Sequence, residues 1–283
     1  MSKAIAVLGM HRSGTSAVAR GLQALSVYLG DDLLPAQPEN PTGYWEDKQI
    51  VDINERVLAA LRLRWDDAAP IDPREFERWS LGGLQRETIR YLERRFLAQP
   101  LWGFKDPRTI RLLPFWRRIL RETRVEDAYV LVIRNPFSVA ASLYARQEMD
   151  LETAQRLWLV YDVPFLHLLS EKPLVVVDYD LLMQDPRGQL ERIARKLQIP
   201  ETANSASEIE HFANDFLDVE LRHSVFSESD IDSSTDVGLL TRRAYVVLYE
   251  LALDTQQADQ EFWHAWKRIE SSCRTRLGWP DTE

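Results

Sequence analysis

The sequence predicts an α/β protein with a central parallel sheet flanked by helices and a helical C-terminal extension. Three observations predict it. Short apolar runs recur without polar alternation, as in strands buried on both faces of a parallel sheet. Segments of helical periodicity separate these runs, which calls for right-handed crossovers. The first run ends in a glycine-bounded loop that opens a helix.

The elements follow in order. Residues 4–8, Ala-Ile-Ala-Val-Leu, form the first strand and stop at Gly9. Ala17, Val18, Leu22, Leu25 and Val27 then recur at helical spacing, predicting a helix over 15–27. Residues 30–46 carry Pro35, Pro38 and Pro41 with Gly and Asp, the composition of a long loop. Leucine and aromatic spacing predicts helices over 47–63, 79–98, 108–124 and 151–170. Between them, 101–105 is a weaker strand, and 128–133, Ala-Tyr-Val-Leu-Val-Ile, a strong one that passes through Arg134-Asn135-Pro136 into a helix near Phe137. Residues 173–178 form a last strand, with a helix over about 186–197 behind it. Residues 224–236 read as an acidic mobile loop, and 239–255 and 258–276 as two closing helices.

Composition narrows the class. With 283 residues, 45% hydrophobic and 28% charged, the chain has the make-up of an ordinary globular protein. The expected division is one domain over 1–283, with a core over 1–200 and an acidic helical extension over 201–283. The lone Cys273 excludes a disulfide framework and a cysteine zinc site. The apolar stretch near Met1 is too short for a signal peptide or a membrane span, so a cytoplasmic location is expected. The net charge is −9, and it is uneven: residues 1–200 carry 28 basic against 27 acidic residues, and the remaining 83 carry 7 against 17. Such a balance disfavours nucleic acid and other bulk polyanions, but leaves room in the neutral part for a pocket that takes a small anion.

That pocket has a candidate loop. Gly9-Met10-His11-Arg12-Ser13-Gly14-Thr15-Ser16 lies between a buried strand and a helix, and its glycines have the spacing of a phosphate-cradling G-x-x-x-x-G-K-[ST] loop. The lysine is missing: Thr15 stands there, and the positive charge sits inside the loop at Arg12. Such a loop is poorly equipped for magnesium-assisted phosphoryl transfer and suits a terminal phosphosulfate. The bland alternative is a tight turn, which would need one capping residue rather than Arg, Ser, Thr and Ser together.

Arg12-Ser13-Gly14-Thr15-Ser16 after a strand resembles the 5′-phosphosulfate loop of sulfotransferases that use 3′-phosphoadenosine 5′-phosphosulfate. In that family Arg-x-Pro followed by a Ser binds the 3′-phosphate, and Arg134-Asn135-Pro136 with Ser142 matches it. Gly43-Tyr44-Trp45-Glu46, Lys105-Asp106-Pro107-Arg108 and the stretch Asp178-Tyr179-Asp180-Leu181 with Asp185-Pro186 resemble segments of the bacterial, carbohydrate-type members. The likeness covers about residues 4–200. It implies a P-loop-like nucleotide-binding fold, a donor that leaves as adenosine 3′,5′-bisphosphate, no metal, and a hydroxyl acceptor on a carbohydrate or other small molecule. It also implies donor contacts from Arg12, Ser13, Gly14, Thr15, Ser16, Arg134 and Ser142.

Sulfuryl transfer needs an acceptor oxygen relieved of its proton and a stabilised leaving group. Glu46 is the first candidate base, because an acid beside Tyr44 and Trp45 gains proton affinity from partial burial. Glu39 is the runner-up. The alternative for both is a solvated loop acid. Lys105 would neutralise the transferring group, or else pair with Asp106. Arg108 is read as a substrate contact or a helix-start ion pair. His11 lies in the loop and would touch the sulfuryl group, serve as an acid or base, or merely pack. Trp45 and Trp65 are candidates for stacking on an acceptor, and Leu221-Arg222-His223 is read as a plain surface stretch or else as one that closes over the nucleotide. The spacing of the other histidines offers no metal site. Two rivals remain: a P-loop kinase or nucleotide triphosphatase, for which Val175-Val176-Val177-Asp178 would have to act as the magnesium-binding strand, and a non-catalytic nucleotide-binding protein of the same fold.

Overall fold

A computed structural model describes residues 2–37, 40–217, 226, 230 and 234–281. Among them, β1 (Lys3–Leu8), β2 (Leu101–Lys105), β3 (Glu126–Ile133) and β4 (Leu174–Asp178) form one all-parallel sheet in the order β2-β1-β3-β4. The chain steps from β1 to one side for β2 and to the other for β3 and β4. Open α/β sheets bind ligands outside the carboxyl ends of their strands where the order reverses. Here Gly9, after β1, and Arg134, after β3, occupy that place.

Both faces are covered, which is why the strands lack polar alternation. On one face Ile5, Val7, Val130, Val132 and Val177 pack against α1 (Thr15–Ala24), α8 (Pro186–Lys196) and α9 (Ser205–His211). The other face presents Ala6, Trp102, Phe104 and Leu131 to a larger core. That core draws on α2 (Lys48–Ala60), α3 (Leu81–Arg95), α4 (Leu113–Glu122), α5 (Pro136–Gln147) and α6 (Leu151–Asp162), and on α10 (Asp236–Ala252) and α11 (Gln260–Leu277). The short α7 (Tyr179–Gln184) links β4 to α8. Trp102, Trp116, Trp158 and Trp266 are fully buried there, and at roughly 25 cal/mol per Å² of apolar area removed from water such rings dominate the core's stabilisation.

Several boundaries differ from the sequence expectation for identifiable reasons. The helix expected over 15–27 ends at Ala24. Ser26 is left-handed (φ 64°) and the Val27 amide donates back to the Leu22 carbonyl (3.0 Å), so Tyr28 runs beside Trp102 of β2. The helix expected over 151–170 stops at Asp162, because Pro164 has no amide to continue it; a 3-10 turn, Leu166–Leu169, follows. The segment 108–124 starts as a 3-10 turn, Pro107–Leu112, before α4. The sequence reading missed α9 and the π turn Phe212–Phe216, whose buried Phe212 stacks on Phe216. The helices of the expected extension are core elements: Leu240, Ala244, Tyr245 and Leu248 of α10 pack where β4 and α6 meet. Of 224–236, only residues 226, 230 and 234–236 are described, and 221–223 lie outside the described residues. No helix among the described residues is long and apolar enough to cross a membrane.

Candidate active site

Backbone geometry builds the loop after β1. A Cβ on Gly9 would sit 2.2 Å from the Val132 carbonyl oxygen, so glycine alone lets the loop press against β3. Gly14 is left-handed (φ 88°), and a Cβ there would lie 2.1 Å from the ring of Tyr179. As the residue before α1, Gly14 supplies no side-chain cap. The first-turn amides of α1, at the positive end of its dipole, therefore face a cleft of 170 Å³ lined by Gly14, Thr15 and Ser16. Ser13 and Thr15 are buried, and the hydroxyl of Ser13 has no hydrogen-bond partner among the described residues.

The second element meets the first. Arg12 Nε donates to Ser142 Oγ on α5 (2.8 Å), and Arg134 Nη1 donates to the Arg12 carbonyl (3.4 Å). Arg134 also lies over the ring of Tyr179, 4.8 Å from its centroid. Three guanidinium groups crowd this end of the cleft: burial, then the charges of Arg146 and Arg134, lower the proton affinity of Arg12. Like charges held so close are relieved by an anion placed between them.

Glu46 and Lys105 face each other across the cleft floor. Trp45 adopts a left-handed backbone (φ 58°), and its indole donates to the Thr42 carbonyl (3.0 Å). Its ring packs against Phe216 and Arg20, away from the cleft, while Glu46 enters it. Glu46 Oε1 accepts from Lys105 Nζ at 2.5 Å, and both side chains are more than nine-tenths buried. Lys105 Nζ also donates to Ser16 Oγ (3.2 Å) and to the Tyr44 carbonyl (3.1 Å). Burial raises the pKa of Glu46, against the opposing pull of the Lys105 charge. The solvated alternative for Glu46 is excluded. Glu39, its runner-up, lies outside the described residues.

Asp106 is not the partner of Lys105, because strand alternation sends the two side chains to opposite sides. The buried Asp106 carboxylate instead accepts from the Arg108 amide and Nη1 (2.9 Å each) and from Asn54 Nδ2 (2.9 Å). Arg108 reaches on to Glu55 (2.9 Å), and Trp116 donates to Asn54 Oδ1 (2.7 Å). Of the two readings for Arg108, the ion pair is the one its geometry satisfies. Asp178 is equally structural. It caps α7 through the Asp180 and Leu181 amides and accepts from Tyr245, so it is not placed as a magnesium ligand.

His11 lines the cleft with its ring packed on Trp65 (4.5 Å between centroids) and Tyr161 (5.7 Å). Burial, then the charges of Arg108, Lys105, Arg146 and Arg12, push its pKa well below the usual histidine value, leaving a neutral imidazole whose buried Nε2 has no hydrogen-bond partner among the described residues. Trp65 thus serves His11. Arg146 and Tyr179 also line the cleft, and the sequence reading assigned them no place in it. Arg146 stands one helical turn beyond Ser142, a spacing that marks it in retrospect. Among the described residues no cluster of three or more His, Cys, Asp or Glu forms a metal site. A larger hollow of 420 Å³ lies between α8 and α9, away from both phosphate elements.

A family model described as "Sulfotransferase family" matches residues 4–203. No curated protein matches the chain. Among solved structures, sulfotransferase STF9 from Mycobacterium avium is 15% identical, with 97% of this chain and 76% of that one covered and a TM-score of 0.47. The sulfotransferase domain of the Synechococcus PCC 7002 olefin synthase is 18% identical, with 87% and 95% covered and a TM-score of 0.45. A retinol dehydratase in complex with retinol and PAP is 13% identical, with 98% and 82% covered and a TM-score of 0.38.

Proposed function

The chain belongs to the sulfotransferase family, and from that premise we propose that it transfers the sulfuryl group of 3′-phosphoadenosine 5′-phosphosulfate to a hydroxyl of a carbohydrate or other small polar acceptor, as one domain and without a metal. One observation carries this reading. The phosphate loop and the Arg134–Ser142 element meet through the bond from Arg12 to Ser142, beside a buried Glu46–Lys105 pair. Charge for a donor with an anionic group at each end and a carboxylate able to take a proton thus share one cleft.

Each residue has a role in this scheme. The amides of Gly14, Thr15 and Ser16, with Ser13 and Arg12, hold the 5′-phosphosulfate, and Arg134 with Ser142 holds the 3′-phosphate. Glu46 accepts the proton of the acceptor hydroxyl as the new O–S bond forms. The bond from sulfur to the bridging oxygen breaks, and its electron pair leaves on adenosine 3′,5′-bisphosphate. Lys105 offsets the charge that develops there. His11, kept neutral by burial, is a hydrogen-bonding group for the acceptor side rather than a cation. Asn40, Thr42 and Tyr44 line the cleft and give it the polar wall that suits a hydroxylated acceptor.

The test is direct. Adenosine 3′,5′-bisphosphate should raise the melting temperature, whereas ATP with magnesium should not. Incubation with labelled donor and a panel of neutral and acidic sugars should yield a sulfated product. Stabilisation by ATP with magnesium alone, together with no transfer to any sugar or simple alcohol, would overturn the reading.

A further inference from the structure

We propose that the outer face of the α10 and α11 pair is a docking groove for an acidic amphipathic helix of a partner protein. The inference goes beyond the sulfotransferase reading and does not depend on it. Ala244, Tyr245 and Leu248 of α10 are spent on the core. A second stripe of the same helix, Leu239, Arg242, Arg243, Val246 and Val247, recurs at i, i+3, i+4, i+7 and i+8. Ala265, Arg268, Ile269 and Ser272 form the matching stripe of α11, again at i, i+3, i+4 and i+7. Together the two stripes wall a groove of 630 Å³, and none of its lining residues lines the cleft. A groove between two packed helices is the shape that a third helix fills.

Charge says which kind of helix. Residues 201–283 carry 7 basic against 17 acidic residues. Three of the basic ones, Arg242, Arg243 and Arg268, line this groove, and among the described residues no acid lines it. A segment that is acidic as a whole has gathered positive charge around one apolar trough, from both of its helices. Arg243 and Arg268 are exposed at the rim, Val246, Val247 and Ala265 are half-buried, and Ile269 is buried at the floor. An apolar floor under a cationic rim is complemented by a helix whose apolar stripe is flanked by Asp or Glu.

The same geometry argues against other occupants. A bilayer surface is flat and does not follow the floor down between two helices while arginine side chains stand at the rim. A small anion would satisfy the arginines and leave the apolar floor in water. An extended peptide would bury amides and carbonyls against walls that offer no strand edge, whereas a helix satisfies them internally.

Fluorescence anisotropy on the full chain tests the proposal with three synthetic peptides, each as long as the 18 residues of α11. The first carries leucines at helical spacing flanked by glutamates. In the second the flanks are lysines, and the third scrambles the order of the first. Saturable binding of the first peptide in the micromolar range is expected, with a gain of helical circular dichroism and an affinity at least about tenfold above that of the other two. Arg243→Glu combined with Arg268→Glu should weaken it by about a hundredfold and Val247→Glu by about tenfold, while Arg243→Lys with Arg268→Lys keeps most of the affinity. If the charge reversal unfolds the protein, Arg243→Gln with Arg268→Gln, expected to lose about tenfold, decides the same question. No saturable binding of the first peptide, equal binding of the lysine or scrambled peptide, or full affinity in the charge-altered variants overturns the proposal. Two further results also overturn it. Self-association of the wild type in sedimentation that is lost with these arginines gives the groove to a second copy of the chain, and binding to phosphatidylglycerol vesicles that is lost with them gives it to a membrane.

Discussion

Two buried ion pairs, built from consecutive residues of one turn, stand back to back. Lys105 points into the cleft and pairs with Glu46, while Asp106 points into the core and pairs with Arg108. Their surroundings separate them. Asp106 has Asn54, the Arg108 amide and the Arg108 guanidinium arranged around it, and Asn54 is fixed in turn by Trp116. That network surrounds the Asp106 carboxylate and holds the 3-10 turn against α2. Glu46 has one charged partner and lies in the cleft wall, and its proton affinity is raised by burial. Sequence proximity and residue type do not tell such pairs apart. What distinguishes them is how many neutral and charged donors the carboxylate already holds in the core.

The largest expected effect is on the cleft side of this comparison. Glu46→Gln keeps the shape and an oxygen for Lys105 but removes basicity, so kcat should fall by about 10²–10⁴ with bisphosphate affinity nearly unchanged. Glu39→Gln should do much less. A larger loss at Glu39, measured with the same acceptor, would move the base to that residue and leave the family assignment standing.

On the core side the effect is on stability. Asp106→Ala leaves Arg108 and Asn54 facing a gap and should cost about 3–5 kcal/mol in urea denaturation, more than Glu46→Gln. Equal losses for the two variants would erase the distinction between the two pairs.

Donor recognition comes next in size. Adenosine 3′,5′-bisphosphate at about 100 times its Kd should stabilise the wild type by roughly 2.7 kcal/mol, read as a thermal shift, and Arg12→Ala and Arg134→Ala should each remove most of it. Retention of the full shift in either variant would mean that the meeting of the two elements at Arg12 and Ser142 does not bind the nucleotide.

A subtler expectation concerns pH. Because burial raises the pKa of Glu46, its carboxylate is lost by protonation as pH falls through a value above the ordinary glutamate range, and with it the proposed base. The acid limb of kcat should lie above about 4.5 and vanish in Glu46→Gln. An acid limb unchanged in that variant would assign it to another group. The smallest effect is the one EDTA should have: turnover should persist in chelator, since arginine, lysine and amide donors carry the charge.

Much of the fold was legible in the chain. The four strands lie where continuous apolar runs predict them, because a strand buried on both faces must be apolar throughout. Pro164 ended a helix that leucine spacing alone prolonged, and the π turn at Phe212–Phe216 carries no periodic signal that separates it from the helix before it. The loop after β1 was legible from its glycines, which answer to close contacts that a Cβ would break, Gly9 with the Val132 carbonyl and Gly14 with the Tyr179 ring.

By itself the sequence determined the α/β class, the glycine-bounded loop after β1, the Arg134–Ser142 stretch after β3 and the residue types on offer for proton transfer, all of them properties of short segments. Tertiary structure alone decided who pairs with whom. That Lys105 meets Glu46 and not its neighbour Asp106, that Arg12 bonds to Ser142, that Asp178 is spent on a helix cap, and that His11 is enclosed by Trp65 and Tyr161 depend on segments far apart in the chain. The physical reason is that burial and partner geometry, which set the charge and availability of each group, come into being only when those segments pack.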